Sequence, residues 1–138
     1  MRGEALRIDA NIILRYLRDE QTDHGERAAR LFSAVTAGTL SVTLEEVVVA
    51  EVTWTLASFY RLPKQEIATI LLTLLAEDGI RNADKETLQL ALVLFAQWNL
   101  DFADALLAAK ASASGDNALY SFDHDFDRIP GLHRQEPD

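Results

Sequence analysis

The chain has 138 residues, 49% of them hydrophobic, no cysteine and a formal net charge of −9. That length and apolar content suit one folded domain over 1–138 and exclude a disordered chain. The lack of cysteine excludes disulfides, thiolate zinc sites and cysteine nucleophiles, and the acidic balance excludes broad, non-specific nucleic-acid binding.

The start, MRGEALRIDANIILRYLRDE, mixes acids and arginines into its apolar residues and does not read as a signal peptide. Ala5–Asp9 is expected as a strand, and Asn11–Arg18 as a helix packed through Ile12, Ile13, Tyr16 and Leu17. His24–Ala37 has the helical pattern Ala28, Leu31, Phe32, Val35 and ends at Gly38. Leu40–Val42 reads as a second strand. Thr43–Tyr60 reads as a long helix, with Thr43 and Glu46 in the capping-box spacing. Pro63 fits the first turn of a helix that runs to about Glu77. Gly79–Asn82 is expected as a strand, Asp84 as the cap of a helix to Trp98, and Asp101–Ala113 as a further helix. Ser114-Gly115-Asp116-Asn117 is a turn, Ala118–Phe122 a strand, and Gly131–Arg134 an edge strand. Alternating strands and helices predict a parallel sheet with helices on both faces and a ligand site at the carboxyl ends of its strands.

Four acids interrupt apolar segments: Asp9 in ALRID, Glu51 in VVVAEVTW, Asp104 in DFADALLAA and Asp123 after ALYSF. An unpaired buried carboxylate costs several kcal/mol or shifts its pKa until it is neutral. Four in one small chain call for a shared counter-charge, and hard oxygen donors suit magnesium or manganese. Each acid also has a structural reading. Asp9 suits a helix N-cap. Glu51 faces Val47, Val48, Trp54 and Thr55, so it stands at a cleft or pairs with a buried arginine. Asp101 suits the N-cap of the helix that carries Asp104, leaving Asp104 as ligand and Asp101 in support. Asp123 adjoins a strand end, whereas Asp125 and Asp127 read as an exposed acidic turn. Glu45 and Glu46 are explained by the first turn of their helix. His24, His124 and His133 lack metal-ligand spacing and read as surface residues. Ten of the thirteen basic residues are arginine. Arg15, Arg18, Arg27 and Arg30 crowd the first quarter, where they either face phosphate or solvate a helix.

The segments IDANIILRYL, VVVAEVTWTL, LDFADALLAAKA and LYSFDHDFDRIPGL, in that order, resemble the PIN-domain family, and within it the VapC-like toxins of bacterial toxin–antitoxin pairs. The resemblance implies a three-layer α/β/α fold with a short central parallel sheet. It implies a magnesium- or manganese-dependent endoribonuclease whose four acids match Asp9, Glu51, Asp104 and Asp123. Asn11 matches a common polar site position, and Ala10 departs from the threonine or serine of many members. The resemblance further implies a VapB-like antitoxin that presents an arginine to the acids, and a homodimer. A cytoplasmic location without a membrane partner is the matching expectation. Two other readings stand beside it. A receiver-like phosphoryl-transfer domain also uses an acid at the first strand end, but wants a late lysine, and Lys110 lies inside a helix. A catalytically inactive PIN-like interaction module needs none of the four acids, all of which are present.

Overall fold

The computed structural model describes residues 5–138, and its strands are very short. β1 (Leu6–Arg7), β2 (Val42–Thr43) and β3 (Ile80–Arg81) form a parallel sheet in the order β1-β2-β3. β4 (Ala118–Tyr120) and β5 (His133–Gln135) form a second parallel pair. The expected central sheet is therefore hydrogen-bonded in two pieces, with parallel pairing throughout both. Val42 lies opposite Leu6 on one side and Ile80 on the other. Flanking amides extend the ladder, with Val42 donating to Gly79 and Leu44 to Arg81, both at 2.8 Å.

Among the described residues, six helices connect the strands: α1 (Ala10–Leu17), α2 (Asp23–Thr36), α3 (Glu46–Ser58), α4 (Lys64–Leu75), α5 (Lys85–Gln97) and α6 (Phe102–Ala113). A 3-10 turn, His124–Arg128, separates β4 from β5. Their starts follow from local chemistry. Asp9, Thr22 and Asp84 each accept a backbone N–H from the first turn of α1, α2 and α5. The capping box expected at Thr43 and Glu46 does not form. The Thr43 hydroxyl donates instead to the Ala5 carbonyl at 3.3 Å, binding β2 to the chain before β1, and α3 starts three residues later behind Glu45. Pro63 occupies the N-cap position of α4, one residue before the expected place. Asp101 holds the N-cap position of α6, but its side chain makes no capping hydrogen bond.

The core is built by the helices. Ile13, Leu44, Val49, Leu71, Ile80 and Leu92 are fully buried. Tyr16 of α1 stacks on Phe32 of α2 with ring centroids 4.2 Å apart, and Phe95 of α5 meets Phe102 of α6 edge to face. Lys64 at the head of α4 donates to the Leu100 carbonyl at 2.7 Å and sits over the Phe95 ring, tying α4 to the entrance of α6. Burial holds the Lys64 amine below its ordinary pKa, against the opposing pull of Asp101. Among the described residues, no helix is long and apolar enough to cross a membrane.

Gly25 shows how tightly α1 and α2 are joined. A Cβ built there would lie 2.0 Å from the Glu20 carbonyl oxygen, in the turn between the two helices. Backbone cannot move aside as a flexible side-chain end can. Gly25→Ala is expected to destabilise the protein by about 1–3 kcal/mol, as overpacking does, read as a lower urea midpoint. An unchanged midpoint would show that this turn is free to relax.

Candidate active site

The carboxylate whose environment most resists its charge is Asp104. It lies half-buried in the first turn of α6, where the helix dipole favours an anion. Its pKa is nevertheless raised, first by burial and then by repulsion from Asp101, Asp123 and Asp125. Asp123 belongs to this group because β4 runs out beside α6. It caps the 3-10 turn by accepting the Asp125 N–H at 2.9 Å, while its own N–H donates to Ser121 Oγ. Buried Phe126 and Ile129 anchor the segment. Asp125, read from sequence as an exposed acidic turn residue, is half-buried and contributes to the field on Asp104. It also pairs with Arg128 at 3.2 Å. The i, i+3 spacing from Asp101 to Asp104 was legible in sequence, but the reach of Asp125 depends on the 3-10 turn.

The other two predicted acids stand apart from that field. Asp9 is exposed at the carboxyl end of β1, where it accepts the Ile12 N–H at 3.2 Å. Asn11 beside it accepts from Arg15 Nε at 2.9 Å. Glu51 is exposed on α3, between Val47 and Trp54, which are 71% and 68% exposed. Among the described residues it makes no ion pair, and its flank is an open helix face. The segment reads as core because Val49, Val52 and Leu56 fill one face of α3 while apolar Val47 and Trp54 occupy the opposite one.

Lys110 of α6 pairs with Glu46 at 2.8 Å. This sets the later part of α6 against the start of α3, about 9 Å along the helix axis from Asp104. The same contact bounds a cleft of about 710 Å³ whose polar lining includes Glu46, Asn82, Asp84 and Lys110, beside apolar Val47 and Leu88. Sequence reasoning left this cleft unnoticed. Asn82 is its one unusual residue, donating to the Leu44 carbonyl and accepting from the Asp84 N–H, both at 2.8 Å.

A divalent cation suits the donors around Asp104. All are hard carboxylate oxygens, and both causes of the raised pKa, burial first and the neighbouring carboxylates second, disfavour a charge that a cation would offset. Among the described residues no three acids or histidines are already gathered as a ligand set, so binding would draw side chains together.

A group with a raised folded-state pKa stabilises the fold below its ordinary pKa, and that contribution is lost as pH rises through the folded value. Asp104 therefore burdens the metal-free protein at neutral pH. Asp104→Asn is expected to raise the melting temperature in EDTA at pH 7 by roughly 2–4 °C, with the gain fading below the ordinary aspartate pKa of 3.8. Equal melting temperatures at pH 7 would contradict this assignment of the strain.

A search among curated proteins finds no match. The family model described as PIN domain matches residues 7–132. That span runs from β1 past the 3-10 turn and includes Asp9, Glu51, Asp104 and Asp123. PIN domains are typically nucleases, hydrolases acting on nucleic acids, and they generally use divalent metal ions. With its parallel strands, its covering helices and this match over most of its length, the chain belongs to the PIN domain family.

Proposed function

We propose that this protein is a magnesium- or manganese-dependent endoribonuclease, acting as the toxin of a VapBC-type toxin–antitoxin pair. The observation that carries the reading is the half-buried Asp104, repelled by Asp101, Asp123 and Asp125 within a chain of the PIN family. Asp9 and Asp104 would hold the main cation, from the end of β1 and from α6. Glu51 and Asp123 would complete the carboxylate set, and Asp101 and Asn11 would support it. Bound there, the ion would activate water and offset the charge that develops on the scissile phosphate. The chain itself contributes placement. The first turn of α6 directs positive backbone dipole at Asp104, and the 3-10 turn fixes Asp123 through the Asp125 amide.

Two partners belong to this reading. The first is a VapB-like antitoxin that sets an arginine against the acids, since a guanidinium pairs bidentately with carboxylate. The second is another copy of the chain. The exposed stripe Val47, Glu51 and Trp54 on α3 supports a protein contact, offering apolar area with a carboxylate in its middle.

Antitoxin-free protein is expected to cut a mixed structured RNA pool with magnesium or manganese and not with EDTA. Asp9→Asn and Asp104→Asn are each expected to lower the rate at least about 100-fold, the upper end of what loss of an outer-shell partner costs a metal site. Both variants should remain folded by circular dichroism. Cutting that persists in EDTA, or in both variants, would refute the metal-dependent reading.

A further inference from the structure

A second cleft, of about 470 Å³, opens between α1 and α2 with Asp9 at its rim. Its polar lining beyond Asp9 is Asn11, Arg15, His24 and Arg27, over an apolar floor that includes Ile12 and Leu31. In a chain of net charge −9, this cleft gathers two arginines beside Asp9, each with one carboxylate partner, Glu20 for Arg15 and Asp23 for Arg27.

The arginines are held differently. Arg15 is fixed: Nε donates to Asn11 Oδ1, and the guanidinium pairs with Glu20. Glu20 also accepts from the Thr22 hydroxyl and pairs with Arg18 at 2.6 Å. The Thr22 hydrogen bond first, and the two arginines with it, hold the Glu20 carboxyl below its ordinary pKa. One carboxylate thus anchors Arg15 in the cleft lining and Arg18 outside it. Arg27 is loosely held, with Asp23 at 3.5 Å and both side chains largely in solvent. Its planar fork is available to a new oxygen ligand.

We infer that this cleft binds the phosphodiester backbone of single-stranded RNA next to the bond being cut, with Arg27 and Arg15 taking phosphate oxygens. The apolar floor gives a ribose or base a surface to lie on. This inference rests on the ribonuclease reading and adds to it a positioning role for residues outside the carboxylate set. A strand lying along Arg27 and Arg15 reaches Asp9 next, the acid of the proposed set that borders this cleft.

The test measures binding of a labelled single-stranded RNA oligonucleotide to the full chain in EDTA, where cutting is stopped, at several salt concentrations between 50 and 200 mM. Cleavage kinetics with magnesium run in parallel. Arg27→Gln is expected to weaken binding about fivefold and to reduce the salt slope by about 0.7, the loss of one phosphate contact on a single strand. Arg27→Lys should restore the slope. Arg30→Gln makes the same change in net charge on the same helix, outside the cleft lining, and should leave both quantities near wild type. In cleavage, Arg27→Gln should raise KM more than it lowers kcat. Equal effects of Arg27→Gln and Arg30→Gln would overturn the inference, because bulk charge would then explain both. Unchanged KM and slope for Arg27→Gln, in a wild type that cuts RNA, would overturn the cleft while leaving the ribonuclease reading intact. A wild type that neither binds nor cuts RNA would overturn both.

Discussion

Strands of two or three residues make too few hydrogen bonds to hold a sheet together, so the placement of every candidate residue depends on the helices that bury the strands. Val42, Leu44 and Ile80 are almost completely buried, and they fix β2 and β3 between the helical layers. β1 relies on this support most heavily. Its two residues are exposed, and it is held by β2 on one side, by the Thr43 hydroxyl and by buried Ile8 at its end. Asp9 follows directly, so the position of the first acid derives from the packing of Ile8 and Ile13 more than from the sheet.

The same logic governs α6. Lys64 holds the Leu100 carbonyl, the Phe95–Phe102 contact fixes the first turn, and Lys110 ties the later part of the helix to α3. Between these ties lies Asp104, raised in pKa by burial and by its neighbours. The fold supplies enough rigidity to keep several carboxylates close to one another against their repulsion. PIN domains generally use divalent metal ions, and a cation is the counter-charge such repulsion would accept. The arginine-lined cleft beside Asp9 is built from α1, its N-cap and α2.

Much of this was legible in the sequence. The order of strands and helices, the caps at Asp9 and Asp84, and the placement of Asp101 at the head of α6 follow from local patterns. What local patterns missed involves partners far along the chain. Thr43 fits a helix-capping box until β2 takes its hydroxyl for the Ala5 carbonyl. Glu51 lies in an apolar run, and only the packing of α3 reveals that Val47 and Trp54 face outward with it. Asp125 belongs to the field around Asp104 because a 3-10 turn folds it back, and short 3-10 turns leave little periodic signal. The division of the strands into two hydrogen-bonded sets has no sequence signature either, since each strand reads the same whichever neighbour it pairs with.

The open face of α3 gives the molecule an internal optical reporter. The chain has two tryptophans. Trp54 stands in solvent, one helical turn from Glu51, whereas Trp98 is half-buried at the end of α5. Their emission should therefore differ in wavelength and in access to a water-soluble quencher. Anything that settles over the α3 face would shield Trp54 and shift its emission to the blue, while Trp98 would continue to report the packing of α5. The arrangement lets surface coverage and unfolding be followed separately in one sample without an added dye.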